Sequence, residues 1–236
     1  MDAANLKDRA KRILEYLDPE GVKSRALPRP VIIEFTGSPD AGKTTIIDAL
    51  DPFFRRLGFR VMRPQEGAEV IRHVPRSDYE YNIRTGVYQL GLVMDGSYDR
   101  FTDLFILDRG LYDLSCWMEY WARKGQIDRD KANFYRKFFG DPKWLSKIDI
   151  CFFVVCEPEE AIKRNQLAIP LDEFGETTNP ESVKALVDIT RKTYAYWHAR
   201  GAPVVMVDTT NVAPKEVAAE IIDKTLEMLE IRFDLK

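Results

Sequence analysis

Histidine is nearly absent from this chain of 236 residues, limited to His73 and His198, and cysteine is scarce, limited to Cys116, Cys151 and Cys156. No spacing among them suggests a zinc site. Cys151 and Cys156 lie five apart on one apolar run, so two-residue alternation sends them to opposite faces and excludes a disulfide within that strand. Buried thiols in a reducing compartment, and hence a cytoplasmic protein, are the expectation. A basic excess is missing too: 35 Lys and Arg stand against 38 Asp and Glu, a net charge of −3. Proteins that track a long nucleic acid carry the opposite balance, so a small-molecule partner is favoured. No apolar run approaches the ~18 residues of a membrane span, and there is no internal repeat. What remains, 45% hydrophobic and 31% charged residues, is the composition of an ordinary globule with room for one large α/β domain.

Residues 37–44 read G-S-P-D-A-G-K-T. They follow the apolar run V-I-I-E-F and open a helical pattern. The spacing G-x4-G-K-[ST] lets two glycines curl the backbone until several N–H groups face phosphate oxygens at the positive end of a helix. Gly37, Ser38, Pro39, Asp40, Ala41, Gly42, Lys43, Thr44 and Thr45 are therefore the candidate ATP-binding residues. Lys43 is expected to bridge the β and γ phosphate oxygens, and Thr44 to offer its hydroxyl to Mg²⁺.

The rest of the chain alternates strand and helix patterns. Leu6, Ala10, Ile13, Leu14 and Leu17 mark an amphipathic helix that ends at 18–21, packed on the outside of the domain. Asp2, Asp8 and Glu15 argue against a transit peptide there. Ile46, Ile47, Leu50, Phe54 and Leu57 line a helix that Pro52 is expected to kink or end near Asp51. F-R-V-M at 59–62 reads as the next strand, followed by the loop 63–67. Residues 78–98 form a helical pattern broken by Gly86, Gly91 and Gly96, which permit the approach of a substrate or of another helix. L-F-I-L-D at 104–108 is a short buried strand, and Trp117, Tyr120 and Trp121 read as core. I-C-F-F-V-V-C at 150–156 is apolar on both faces, as a central parallel strand is. A helix from Pro158, a low-periodicity stretch at 166–180 of lid length, a further helix, the strand P-V-V-M-V at 203–207 and a last helix complete the chain. The expected fold is α/β, a three-layer sandwich with a mostly five-stranded parallel sheet.

Strand ends in such a sheet converge, so Asp108 is expected near the Mg²⁺ and Arg109 near the transferred phosphate. Asp108 then holds the metal's water shell or the acceptor hydroxyl, and Arg109 positions the acceptor or the γ phosphate.

These motifs resemble the thymidylate kinase and deoxynucleoside kinase superfamily, in short pieces from residue 31 onward. Arg63-Pro64-Gln65-Glu66-Gly67 is similar to the acceptor loop of thymidylate kinases with altered order, and the resemblance to deoxynucleoside kinases implies that Glu66 orients or deprotonates an acceptor hydroxyl, the alternative being that it caps the next helix. Asp108-Arg109 is similar to their Asp-Arg-aromatic motif, or to the Glu-Arg-Ser of deoxynucleoside kinases, with Gly110 in the third place. Pro158 to Arg164 resembles the helix leading into the lid, and Val205 to Glu216 the last strand and adenine-side loop. The resemblance implies a P-loop kinase domain at 30–236 with a lid at about 163–180, preceded by a helical extension at 1–29. Arg164 is expected to swing in from that lid. Asp40 sits one position later than the acid that touches the acceptor sugar in thymidylate kinases. The arginine that reads thymine has no secure counterpart; Arg84 and Gln89 are the nearest candidates. The expected activity is ATP-dependent phosphoryl transfer to a small acceptor, a nucleoside or nucleoside monophosphate. A kinase for a polynucleotide 5′-hydroxyl or another metabolite and a regulatory P-loop ATPase working on a protein partner are the alternatives. A homodimer is compatible with the sequence.

Overall fold

Short runs rich in β-branched and aromatic residues, each followed by a helix, build one parallel sheet. The computed structural model describes residues 3–17, 29–168 and 175–235. In chain order its elements are α1 (Ala3–Leu17), β1 (Val31–Gly37), α2 (Lys43–Arg56), β2 (Val61–Met62), α3 (Gly67–Val70), α4 (Tyr79–Tyr98) and β3 (Leu104–Asp108). They continue with α5 (Leu111–Arg123), α6 (Arg129–Phe139), α7 (Pro142–Leu145), β4 (Ile150–Val155), α8 (Pro158–Ala168), α9 (Pro180–His198), β5 (Val204–Asp208) and α10 (Pro214–Arg232). The strands lie in the order β2-β3-β1-β4-β5, and every pair is parallel.

Alternation along β1 feeds two cores. Val31, Ile33 and Phe35 pack with α1, α2 and α10, whereas Ile32 faces the apolar residues of α5 and α9. This is the three-layer sandwich the strand and helix pattern implies. β4 is buried along its whole length. Cys151 belongs to one core and Cys156 to the other, and all three cysteines are buried and unpaired. No helix among the described residues is long and apolar enough to cross a membrane.

The helix at the start of the chain is not a loose appendage. Leu6, Ala10, Ile13 and Leu17 enter the same core as α2 and α10. Arg9 fixes the contact through Glu230, at 2.8 and 2.9 Å, and through Asp223. The turn expected at 18–21 lies outside the described residues.

Two local expectations are revised and a third is narrowed. α2 runs through Pro52 to Arg56 rather than ending near Asp51. The carbonyl that loses its donor is that of Asp48, a residue exposed to solvent. Only Val61–Met62 of the 59–62 run is strand, because the Arg60 N–H bonds the Asp103 carboxylate at 2.8 Å instead of a neighbouring strand. Gly86 and Gly96 serve packing: a Cβ at Gly86 would meet Leu114 at 3.0 Å, and one at Gly96 would meet Phe105 at 3.2 Å. A Cβ at Gly91 would meet nothing within 4 Å.

Ile13 is fully buried. Ile13→Ala is therefore expected to destabilise the fold by about 2–5 kcal/mol, read as a lowered urea midpoint. A change within about 0.5 kcal/mol, the size of a surface effect, would show α1 to be detachable.

Candidate active site

The loop between β1 and α2 is shaped by what it must avoid. A Cβ on Gly37 would lie 1.9 Å from the Val154 carbonyl oxygen, and the residue sits at φ 143°, so only glycine ends β1 this close to β4. Asp40 and Gly42 also adopt positive φ, 54° and 89°. Gly42 stands at the N-cap of α2 without a side-chain cap, which leaves the first N–H groups of the helix available to an anion. Lys43 folds back over the loop, donating to the Ser38 carbonyl at 2.7 Å and the Gly37 carbonyl at 3.3 Å. Burial, with Arg109 nearby, lowers its pKa to about 8. A lysine so enclosed, held only by neutral carbonyls, is suited to receive phosphate oxygens.

The register of β1 with β3 pairs Phe35 with Asp108 and brings the two strand ends together. The Thr44 hydroxyl donates to Asp108 Oδ2 at 3.2 Å. One hydroxyl and one carboxylate, with phosphates and water completing the shell, form a donor set that fits Mg²⁺. Among the described residues no group of three or more His, Cys, Asp or Glu is placed to hold a metal by itself.

Arg109 follows Asp108 at φ 66° and is gripped from two sides. Its Nε donates to Glu66 at 2.9 Å, and its Nη1 donates to both Asp113 oxygens at 2.9 and 3.0 Å. Burial opposes its charge, but Asp113, Glu66 and Asp108 outweigh that and hold it protonated. Glu66 is the N-cap residue of α3, yet its side chain makes no capping bond. The capping alternative therefore gives way to the pair with Arg109. Asp113 also accepts from Thr36 Oγ1 at 2.6 Å and from the Trp117 indole at 2.7 Å. Beneath it lies Glu34, fully buried on β1, which accepts the backbone N–H of Leu111 at 3.0 Å and of Asp113 at 3.1 Å. Burial first, and Asp113 second, raise its pKa to about 8.

These groups face a cavity of about 570 Å³. Pro39, Asp40, Gly42, Lys43, Thr44 and Thr45 line its phosphate end, with Asp108, Arg109 and Glu66 across from them. Gly37 and Ser38 lie behind, presenting carbonyls to Lys43, and the Ser38 hydroxyl is buried without a partner. Asp40 accepts from the Asn165 amide of α8 at 3.0 Å. The far end is walled by Tyr81, Asn82, Gly86 and Gln89 of α4 and by Leu114 and Trp117 of α5. Gln89 is buried at 3% exposure, and its Oε1, like the Tyr81 hydroxyl, has no partner. Arg84 is exposed and outside the lining. Two residues from Gly86, it points roughly 200° round the helix. Trp117 is both core and wall. The sequence reading missed Tyr81, Asn82, Asp113 and Glu34. The i, i+4 step from Arg109 to Asp113 and the polar stripe Asn82, Thr85, Gln89 were the available signals.

A second cavity of about 530 Å³ opens on the other side of the loop between Ala41, Thr45, Thr209, Asn211 and Pro214. Arg164 borders both cavities. It bonds Glu160 at 3.0 Å, and the Thr209 hydroxyl and carbonyl at 3.0 and 2.7 Å. Residues 169–174 of the expected lid lie outside the described residues, while Thr177 and Thr178 reach the wall of the first cavity.

A P-loop between β1 and α2, facing an acid at the end of β3, defines the fold of a P-loop kinase. Solved structures agree. Deoxyadenosine kinase from M. mycoides matches with bound dCTP at a TM-score of 0.56, with the products dCMP and a flexible dCDP at 0.60, and with dATP at 0.57. Each match has 18% identity and covers 83% of this chain and 98% of that one. At that identity the likeness establishes a shared fold. No protein-family model matches, and no curated protein matches.

Two outcomes are expected. ATP with Mg²⁺ at 100 times its dissociation constant should stabilise the fold by about 2.7 kcal/mol, seen as a rise in Tm that Lys43→Ala largely abolishes; equal rises would remove the loop from the site. For Glu34, a carboxyl that ionises near 4.5 when unfolded and near 8 when folded favours the fold most in its protonated form. Wild type should therefore lose stability relative to Glu34→Gln as pH rises from about 4.5 to about 8, then hold constant. A difference independent of pH would place the carboxyl in the ordinary range.

Proposed function

We propose that the chain is an ATP-dependent phosphotransferase acting on a small acceptor, and that the acceptor is a nucleoside offering a hydroxyl rather than a nucleoside monophosphate. The observation that carries this is the Glu66–Arg109 pair facing Lys43 across the cavity. A phosphate acceptor needs surplus cations. Here Arg109 is already balanced by Glu66 and Asp113, with Asp108 close by, and Arg76, the other arginine on that side of the lining, is exposed to solvent and donates to the Ala68 carbonyl. A carboxylate on the acceptor side is instead placed to take a proton.

In this reading the loop N–H groups and Lys43 hold the donor's phosphates, and the second cavity takes its base. Thr44 and Asp108 would hold Mg²⁺, which offsets phosphate charge when bound. The acceptor hydroxyl gives its proton to Glu66 as its oxygen bonds the γ phosphorus. The bond from that phosphorus to the β–γ bridging oxygen breaks, leaving ADP. Arg109, its planar fork fixed by two carboxylates, steadies the transferring group. Trp117, Leu114 and Gly86 offer a flat apolar slot, and Gln89 and Tyr81 unspent polar atoms, for a heterocyclic base. The matched enzyme is named for a nucleoside and holds dCMP as a product, which supports the same class of acceptor. Buried, unpaired thiols fit a cytoplasmic location.

Incubation with labelled ATP and a panel of nucleosides, nucleoside monophosphates and oligonucleotides tests this, with products separated by chromatography. Transfer to at least one nucleoside is expected. Glu66→Gln should lower turnover by about 10²–10⁴-fold while ATP affinity stays within a few-fold. Transfer only to oligonucleotide ends, or hydrolysis with no labelled acceptor, would overturn the reading.

A further inference from the structure

We propose that Glu34 is a positioning residue for Arg109, acting through the first turn of α5. The proposal rests on the phosphotransferase reading only for its consequence in turnover; the mechanical coupling stands on the geometry alone.

Helix α5 begins without a local cap. Its N-cap residue is Gly110, which has no side chain to offer, and Arg109 before it occupies a left-handed φ that a β-carbon disfavours. The cap comes from another element. Glu34, 77 and 79 residues away, takes the N–H groups of Leu111 and Asp113 on its two carboxylate oxygens. The fit leaves no slack, since a Cβ on Gly110 would stand 2.4 Å from Glu34 Oε2. Two residues further along β1, Thr36 donates to the Asp113 side chain. The strand that leads into the phosphate loop thus holds both the backbone and the carboxylate of Asp113. That carboxylate aims the Arg109 guanidinium and the Trp117 indole, and the guanidinium carbon lies 5.6 Å from the Trp117 ring centroid. Arg109 is therefore registered to the loop through Glu34, with Asp113 as the intermediate.

An ionised carboxylate accepts both N–H groups, whereas a carboxylic acid or an amide leaves one of them poorly served. The charge on Glu34 reaches Asp113 and Tyr112 of α5 and Cys151 of β4. Tyr112 and Cys151 are pushed well above their ordinary values by burial and stay protonated through the neutral range. Lys43 titrates near Glu34, so a variant, rather than a midpoint alone, must identify the group.

The test uses the full chain labelled with ¹⁵N-tryptophan and needs no substrate. The Trp117 indole resonance is assigned by its disappearance in Trp117→Phe and followed between pH 6 and pH 9.5 in wild type and in Glu34→Gln. The expected result is a wild-type resonance that lies close to that of folded Glu34→Gln at pH 6 and moves away from it as pH rises through about 8, while the variant's holds constant. Where an acceptor has been found, Glu34→Gln should lower turnover by about ten- to a hundredfold at pH 9, where Glu34 is ionised, and much less at pH 6.5, with KM for ATP within twofold. The same substitution in an Arg109→Ala background should have no further effect. A Trp117 resonance that keeps its position and its pH response in folded Glu34→Gln would overturn the proposal, as would losses of turnover that add in the double variant. If no acceptor is ever phosphorylated, the resonance still decides the coupling, and the phosphotransferase reading falls separately.

Discussion

The pairing of β1 with β3 on one side and β4 on the other sets every distance that matters in this molecule. Phe35 stands opposite Asp108 and Phe152, and the Arg109 N–H donates to the Phe35 carbonyl at 2.8 Å. β3 therefore ends at Asp108 opposite Phe35, while β1 and β4 run on side by side to Gly37 and Val155. A phosphate loop grows from the middle strand, an acid and an arginine from one neighbour, and the helix that carries Arg164 from the other. Parallel strands point all their carboxyl ends one way, so a ligand there touches several elements at once. Closure of Gly37 onto Val154 leaves the loop no alternative path.

Charge is then distributed unevenly around the cavity: Lys43 donates to the Gly37 and Ser38 carbonyls, Arg76 to the Ala68 carbonyl, and Arg109 to two carboxylates. Lys43 is buried, and that burial is the first cause of its lowered pKa. Phosphate oxygens would relieve that cost, which gives binding a driving force that depends on their charge. Arg109 behaves differently. Its charge is matched before any ligand arrives, so it supplies geometry more than attraction. The division is what the proposed reaction would use, with phosphates at the Lys43 end and a neutral acceptor at the other.

The fold was readable because its signals are local. Apolar alternation along 31–35 and 104–108, the apolar block at 150–156 and the glycine spacing at 37–44 each declare an element without help from the rest of the chain. Lys43, Thr44, Asp108 and Glu66 stand next to such signals and were reachable. Glu34 was not, because an acid between Ile33 and Phe35 reads as an interruption of the strand, and its partners lie 77 residues on, at a helix start that lacks a capping residue. Arg84 drew notice as a charge on the right helix, but the direction of a side chain follows from which face packs. Asn82 and Gly86 settle that face through Trp121, Leu114 and Phe139. Helices α6 and α7 went unassigned for a related reason. α6 buries only Ala132 and Phe139, so its apolar stripe is thin, although Asp128 and Asp141 cap the two helices from the N–H groups of Lys131 and Lys143.

Arg164 shows how the two cavities are joined. Three of its hydrogen bonds go to Glu160, to the Thr209 hydroxyl and to the Thr209 carbonyl, and the Thr209 hydroxyl in turn donates to the Ala41 carbonyl at 2.9 Å. The bond to Glu160, one turn back on α8, is of a kind worth only about 0.3–0.5 kcal/mol, and it travels with the helix. The contacts to Thr209 do not. For the guanidinium to reach a transferring phosphate it must exchange the Thr209 oxygens for phosphate oxygens, trading neutral acceptors for charged ones, which form the stronger bond. Thr209 also borders the second cavity, so a base seated there touches the residue that holds Arg164 back. In the proposed reaction an arginine so tethered would be drawn across only when the charge on the far side exceeds what a carbonyl offers, the condition under which its contribution would favour the transition state over bound nucleotide.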